Sequence, residues 1–203
     1  MTIDTKDMLN SIFSSLQRID YIKPEDIPSI PLYMDQVTTF MDAQLASSKR
    51  YSEDKILTKT MINNYAKNNL IPPPIKKKYS KEHLLLLIFV YYFKNIMSIS
   101  DIQTLLHPIT EKYFLDSDKL DLTDIYNEVF SLETGQIDAI AKNIAKQYHT
   151  AQKTFPESKG KDAEFLHLFS FICMLSFDVY VKKQLIEKLI DQMHEKENPT
   201  EKK

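Results

Sequence analysis

Glycine is almost absent from this chain, and that scarcity limits the folds available to it. Gly135 and Gly160 are the only glycines among 203 residues. Glycine-rich phosphate loops, tight hairpins and sheet-rich folds need backbone conformations with positive φ, which glycine adopts most easily. Leu, Ile, Lys, Glu and Gln are instead abundant in long periodic stretches, and these favour helices. We therefore expect an all-α fold without tight hairpins.

The two longest apolar runs are predicted to form buried core helices. Leu84–Phe93 is too short to span a bilayer, and Phe165–Val181 is interrupted by a histidine and an aspartate. Cys173 lies in the second run and is expected in the core rather than as a nucleophile. Residues 1–7 carry acids and no apolar segment, unlike a signal peptide. These features predict a cytoplasmic protein without a membrane segment.

Positive charge is concentrated in one part of the chain. Between Lys49 and Lys81, nine basic residues stand against two acids, although the whole chain carries a net charge of −2. A basic segment within an acidic protein indicates a local anion-binding surface. The alternative for such a segment is a solvated lysine-rich loop.

Hydrophobic periodicity and capping residues predict helices along most of the chain. Lys23–Pro31 holds three prolines and is expected to be an extended linker. Ser98 or Ser100 is expected to cap a helix that ends near Pro108. The predicted helices are Asp7–Ile19, Leu32–Leu45, 58–68, 81–93, 98–107, Asp118–Ser131, Gln136–Thr154 and Asp162–Glu195.

The stretch from Lys55 to Tyr79 predicts a short helix, an asparagine stop at Asn68-Asn69 and a basic arm stiffened by three prolines. On the helix, Met61, Ile62 and Tyr65 are expected to face inward, and the polar residues outward. Asparagine suits base edges, and lysine suits phosphates. The candidate DNA-binding residues are Thr58, Lys59, Thr60, Asn63, Asn64, Lys67, Lys76, Lys77 and Lys78.

The same stretch resembles the DNA-binding domain of MerR-type regulators. Tyr65 matches the tyrosine that closes the recognition helix in that family, and Leu70–Pro73 matches its Leu-Leu-x-Pro turn. Tyr79 and Ser80 match the end of the wing and the cap of the third helix, and Ile99–Leu106 resembles the fourth helix. The resemblance implies a recognition helix at about 58–68 and a basic arm at 75–79.

Four departures from the MerR pattern are visible, one of which is a stretch before the recognition helix that is longer than a tight MerR turn. Asn63 stands where arginine is usual, and Asn69 stands where the recognition helix usually ends in glycine. The wing is compressed to Ile75–Tyr79. The chain also resembles an uncharacterised family of transcription regulators from Firmicute bacteria, through the segments Leu32–Val37, Leu57–Tyr65, Lys77–Leu84 and Ser98–Ile102.

These resemblances imply a DNA-binding transcriptional regulator that acts on double-stranded DNA. One small helix-turn-helix buries little surface, so a homodimer on two half-sites is expected. The implied segments are an N-terminal helix and proline-rich linker (1–31), a MerR-like winged helix-turn-helix domain (32–108), a helical dimerisation or sensor module (109–195) and a charged tail (196–203).

A protein-interaction module that retains the helix-turn-helix fold without binding DNA is the alternative. No enzyme signature is found in the sequence. The five histidines show no i,i+4 pairing with a carboxylate of the kind a helical metal site needs. The acids at 116, 118, 121 and 124 lack the glycine and terminal glutamate of a calcium loop. We therefore predict no catalytic residue, cofactor or metal site.

Overall fold

The computed structural model describes residues 22–115 and 120–197, together with Ser11. The predicted helix at 7–19 lies outside the described residues, apart from Ser11. So do the start of the predicted helix at 118–131 and the end of the charged tail, from 198 onward.

Helices account for most of the described chain, so the predicted all-α class is confirmed at that level. The helices are α1 (Met34–Gln44), α2 (Lys59–Lys67), α3 (Lys81–Phe93), α4 (Ile99–Tyr113), α5 (Leu122–Thr134), α6 (Ile137–Ala151) and α7 (Gly160–Glu197). A single 3-10 turn at Ala46–Ser48 follows α1. Two short strands, β1 (Leu32–Tyr33) and β2 (Lys78–Tyr79), pair with each other in antiparallel orientation.

The chain divides into two compact units. Within the described residues, the first unit holds 22–130 and 186–197, and the second holds 131–185. Helices α1 to α4 and both strands belong to the first unit, which also contains every candidate DNA-binding residue. The second unit contains α6 and most of α7.

Helix α3 is the centre of the first unit. Its residues from Leu84 to Val90 are all buried, as predicted for an apolar run of this length. The ring of Phe89 lies 5.5 Å from both the Tyr126 and Phe130 rings of α5, measured between ring centres. Because α3 is buried on every side, the other elements of the unit must surround it. Ile62 of α2 and Tyr79 of β2 belong to the same core.

The helix starts follow their capping residues. The Thr58 hydroxyl accepts the backbone N–H of Met61 at 3.1 Å, which starts α2. Ser98, rather than Ser100, caps α4, because its hydroxyl accepts the N–H of Asp101 at 3.1 Å while the Asp101 carboxylate accepts the N–H of Ser98. These reciprocal bonds satisfy N–H groups that have no partner within the helix.

The predicted end of α4 near Pro108 is wrong. The helix continues through Pro108 to Tyr113. Proline in a helix interior removes one hydrogen bond and costs about 3 kcal/mol. Ile102 and Leu106 are buried on this helix, and Ile109 packs against the same core. This apolar stripe favours continuation of the helix beyond Pro108.

The prediction that Phe165–Val181 forms a buried core helix is also wrong. The stretch is helical, but Phe171 is its one fully buried residue. Helix α7 is long and apolar enough to cross a membrane by length and composition alone, with a mean hydropathy of 1.5 over 18 residues, of which 6 % are buried. Cys173, predicted to lie in the core, is exposed. Apolar content therefore did not determine burial here.

Candidate nucleic-acid interface

Helix α2 separates its apolar side chains from its polar ones. Ile62 and Tyr65 are buried in the core of the first unit, and Met61 packs against that core. The five side chains on the opposite face are exposed: Lys59, Thr60, Asn63, Asn64 and Lys67. The predicted division of this helix into two faces is confirmed. Thr58 is half-buried, and its hydroxyl oxygen already accepts the Met61 N–H.

The segment that leads into α2 is tied to α3. The Lys94 ammonium, directly after α3, donates a 2.7 Å hydrogen bond to the carbonyl oxygen of Ile56, two residues before the Thr58 cap. It also lies 4.9 Å from the centre of the Tyr91 ring. Burial lowers the pKa of Lys94. These contacts fix the start of α2 relative to the core helix.

The end of α2 is closed by an asparagine in the left-handed conformation. Asn69 has a φ of 56°, and the N–H of Leu70 donates to the carbonyl of Tyr65 at 2.8 Å. The N–H of Asn69 donates to the carbonyl of Ala66 at 3.3 Å. This pair of bonds is the Schellman motif, in which glycine is usual at the left-handed position. The predicted asparagine stop is confirmed.

The three lysines of the basic arm lie in a tight hairpin, contrary to the expectation that this chain contains none. Ile75 and Lys78 exchange two backbone hydrogen bonds, of 3.1 and 2.9 Å. Lys76 and Lys77 form the turn between them, with φ values of 50° and 64°. Two central residues with positive φ define a type I′ turn, which Asn-Gly normally occupies. Scarcity of glycine therefore did not prevent a hairpin.

This turn stores backbone strain. A left-handed conformation costs a residue with a Cβ roughly 1–2 kcal/mol. Both Lys76 and Lys77 carry this cost, and both side chains are exposed. Strained residues are concentrated at functional sites, where a specific side chain is needed at a fixed position. The turn places two exposed lysines at the tip of the hairpin.

The hairpin is held by strand β1. Tyr33 pairs with Lys78, and Leu32 pairs with Tyr79. Leu32 and Tyr79 are buried, whereas the Tyr33 side chain is exposed. The Lys78 ammonium lies 5.0 Å from the centre of the Tyr33 ring, close enough for a cation–π interaction. Lys78 is therefore half-buried and oriented by its cross-strand neighbour, unlike Lys76 and Lys77.

The hairpin also rests on a buried histidine. His83 is 1 % exposed, and its Nδ1 accepts the backbone N–H of Ser80 at 3.0 Å. Its ring packs edge-on against the rings of Tyr79 and Phe114, whose centres lie 5.4 and 4.8 Å away. Burial lowers the pKa of His83, although the nearby carbonyl groups of two prolines, 73 and 72, and the Glu82 carboxylate oppose that shift.

Acidic residues of α1 neutralise part of the basic segment. Lys59 forms an ion pair with Asp35, and Lys49 pairs with Asp42 at 2.7 Å. Within residues 22–115, no ion pair is found for Lys67, Lys76 or Lys77. Among the candidate DNA-binding lysines on the α2 face and at the hairpin tip, the ones without an ion pair therefore lie at the end of α2 and at the hairpin tip.

Two exposed side chains of this surface were not among the sequence candidates. Tyr33 is 54 % exposed and contacts Lys78. Ile75 is 70 % exposed at the base of the turn. The sequence gave one indication for Tyr33. It follows the apolar residue Leu32 directly before α1, and neighbouring residues of a strand point to opposite faces. Nothing in the sequence indicated an exposed isoleucine between three prolines and three lysines.

The prediction that no histidine is paired with a carboxylate four residues away is wrong. His107 and Glu111 are spaced four residues apart on α4, and the His107 Nε2 lies 3.3 Å from a Glu111 carboxylate oxygen. Both side chains are more than half exposed. Across 22–115 and 120–197, no group of three or more His, Cys, Asp or Glu residues is arranged to hold a metal ion.

Comparison with known families gives one match. A family model described as "Domain of unknown function (DUF1836)" matches residues 22–130. No curated protein and no solved structure matches the chain. The matched segment coincides with the main segment of the first compact unit, so it includes α2, the hairpin and the buried helix α3.

Proposed function

We propose that this chain, which belongs to the DUF1836 family, binds double-stranded DNA and regulates transcription in the cytoplasm. In this proposal, residues 32–108 act as a winged helix-turn-helix of the MerR type. Helix α2 is the recognition helix, and the Ile75–Lys78 hairpin is the wing. The observation that carries the proposal is the strained Lys76-Lys77 turn, which follows a helix whose exposed polar face includes two asparagines.

The order of the elements supports this proposal. Strand β1 precedes α1, and α2 is followed directly by the hairpin, which pairs back onto β1. Helices α3 and α4 then follow. A winged helix-turn-helix needs a second helix with an exposed polar face and a hairpin beside it. The first unit contains a helix with an exposed polar face and, next along the chain, a hairpin.

The chemistry of the two parts suggests different tasks. Asn63 and Asn64 are exposed and uncharged, and an asparagine amide can bond adenine through two hydrogen bonds in the major groove. Lys76 and Lys77 are point charges suited to phosphate oxygens, and phosphate contacts set position rather than sequence preference. Lys59, Thr60 and Lys67 complete the polar face of α2.

A protein-interaction module is the second candidate, and one observation favours it. The second unit exposes a large apolar surface on α7, as expected for a protein that associates with another protein. An exposed apolar surface in the second unit is expected for either candidate, because a dimeric DNA-binding protein also associates through such a surface. They differ in whether the first unit has any affinity for DNA.

The dependence of binding on salt tests the DNA proposal. Fluorescence anisotropy with a labelled random duplex should show binding whose log K falls linearly with log salt. The variant K76A/K77A/K78A should bind more weakly and flatten that slope by about 0.9 for each phosphate that is no longer neutralised. The control K142A/K146A/K153A removes the same charge from the second unit and should leave the slope unchanged. Equal slopes for both triple variants would reject the assignment of the hairpin.

The asparagines are tested against a preferred sequence. A preferred duplex is first selected from a random library with the wild-type chain. The variants N63A and N64A should keep the wild-type salt slope, because no charge changes. They should reduce the difference in affinity between preferred and random DNA by roughly 1–3 kcal/mol for each base that is no longer bound. If no duplex is bound by the wild-type chain, the interaction module becomes the better account.

A further inference from the structure

Helix α7 carries an exposed and mainly apolar row with heptad spacing, which we name the α7 seam. Its positions alternate steps of four and three residues, which keep them on one face of a helix that supercoils around a partner. Phe165, Ile172 and Val179 are 64, 51 and 64 % exposed. The full seam consists of Phe165, Phe169, Ile172, Ser176, Val179 and Lys183, all of them exposed.

The apolar area of the seam is large for a surface that meets only water. Five side chains on or beside it are half to two-thirds exposed: Phe165, Phe169, Ile172, Val179 and Tyr180. A large apolar side chain presents roughly 150–250 Å², so these five expose on the order of 500 Å² per copy. That is near the upper range for the largest patch of a monomer. It is also more than half of the about 800 Å² that each partner buries in a standard interface.

The net charges at the two ends of the seam differ in sign. Asp162 and Glu164 outnumber Lys161 at the start of α7, and Lys182 and Lys183 outnumber Asp178 at the other end. A parallel pair of such helices would place like charges opposite each other. An antiparallel pair places the acidic end of one helix beside the lysines of the other, which is the favourable arrangement.

The seam also has a symmetric register. Positions 165 and 183, 169 and 179, and 172 and 176 each have position 174 as their midpoint. An antiparallel pairing centred on Met174 therefore brings Phe169 opposite Val179 and Ile172 opposite Ser176. In a two-fold pair each such contact occurs twice, so the whole apolar part of the seam is covered.

We propose that the α7 seam binds the α7 seam of a second copy of this chain, with the two helices antiparallel and centred on Met174. The occupant is a second copy because the seam complements itself in charge and in register. Asp178 and Lys182, which form an ion pair at 3.0 Å beside the seam, would be costly in a lipid core. This inference does not rest on DNA binding, since the seam lies outside the unit proposed to bind DNA.

The register makes a specific prediction for the single cysteine. Cys173 follows Ile172 on the edge of the seam and is exposed. In the antiparallel pairing, Cys173 of the two copies lie next to each other near the two-fold axis, and Leu166 of one copy lies beside Tyr180 of the other. In a parallel pair, the two Cys173 side chains lie on opposite sides of the two helices. The natural thiol therefore reports the orientation.

The oligomeric state is measured by light scattering on the full chain. The wild type should be a dimer at micromolar concentration, and I172E should be a monomer with an unchanged helical circular dichroism spectrum. The control F177E introduces the same charge on the same helix at a side chain that is 67 % exposed but off the seam, and it should remain a dimer. A monomeric wild type, or equal behaviour of I172E and F177E, would overturn the proposal.

Cross-linking then tests the orientation. A short bis-maleimide should convert the wild-type chain into a covalent dimer, and C173S should abolish that product. In the C173S background, L166C/Y180C should restore it, whereas L166C and Y180C alone should not. If neither the wild type nor L166C/Y180C forms a cross-linked product although light scattering shows a dimer, the two helices are not paired in this antiparallel arrangement, and it is rejected. Co-sedimentation of the wild-type chain with neutral lipid vesicles, abolished in I172E, would show that a membrane covers the seam instead. A wild-type chain that forms this dimer but binds no DNA would contradict only the proposed function, not the pairing of the two seams.

Discussion

The Tyr126 hydroxyl donates a 2.7 Å hydrogen bond to the carbonyl oxygen of Ile22, a residue 104 positions earlier in the chain. Both residues are buried. They lie near the two ends of the segment that matches the family model. One buried hydrogen bond therefore joins the beginning and the end of the family domain, and the Tyr126 ring packs beside Phe89 of α3.

The first prediction concerns this bond. Tyr126→Phe removes the donor and leaves the buried Ile22 carbonyl without it, which should cost about 1–3 kcal/mol of the free energy of unfolding. Urea denaturation followed by circular dichroism measures the change. Tyr51→Phe removes a hydroxyl from a side chain that is 53 % exposed and should change stability by less than about 0.5 kcal/mol. Equal free energies of unfolding for Tyr126→Phe and Tyr51→Phe would mean that the hydrogen bond from Tyr126 to Ile22 does not stabilise the domain.

Helix α2 was predictable because its signals are local. Thr58 stands where the first turn needs an acceptor, and Asn69 stands where the chain must turn left-handed. Between them, the apolar spacing already separates Ile62 and Tyr65 from the polar face. Each of these features depends on residues within one or two turns of the helix, so no knowledge of the tertiary fold was needed.

The hairpin and α7 were not predictable by the same means. Lysine has no preference for positive φ, and the Lys76-Lys77 turn exists because β1 pairs with β2 across more than forty residues. The apolar composition of α7 shows that its side chains avoid water, but not which molecule covers them. Burial depends on the partner, and the described residues of this chain leave every residue of the α7 seam exposed.

The second prediction concerns the end of α2. Asn69→Gly should stabilise the chain by about 0.5–1 kcal/mol, because glycine adopts the left-handed conformation without strain from a Cβ. Asn69→Ala should destabilise it by about 1 kcal/mol, because alanine lacks the tolerance of asparagine for this conformation. The midpoints of urea denaturation should therefore rank Gly above Asn above Ala. A reversed order of Gly and Ala would contradict the left-handed assignment.

The third prediction concerns pH. Burial lowers the pKa of His83 below its ordinary value of 6.5, so the unfolded chain binds this proton more readily than the folded chain. Stability is then fully retained above about pH 6.5 and decreases as the pH falls below it, with a slope of up to about 1.4 kcal/mol per pH unit from this group. Denaturation midpoints measured between pH 8 and pH 5 should show this decrease.

The comparison variant for this prediction is His83→Gln. Glutamine at the same helix position can accept the Ser80 N–H, as in the usual capping box, but does not titrate. The variant should be less stable than the wild type at pH 8, because it removes the ring that packs against Tyr79 and Phe114. Its stability should depend less on pH between 6.5 and 5. If the stability of the wild type and of His83→Gln falls equally as the pH is lowered, the pH dependence comes from titratable groups other than His83.

The last prediction separates strain from charge in the hairpin. Replacing Lys76-Lys77 by Asn-Gly supplies the residues that a type I′ turn prefers, so the free energy of unfolding should rise by about 1 kcal/mol. The same change removes two ammonium groups, so the slope of log K against log salt for random DNA should flatten by about 2. The matched variant K76Q/K77Q removes the same charge but keeps a Cβ at both positions, so it should weaken DNA binding equally without gaining stability. If Asn-Gly gives no gain over Gln-Gln, the turn is not strained at these residues. If neither variant changes the salt slope, the two lysines do not contact phosphate, and the strain serves another purpose than DNA binding.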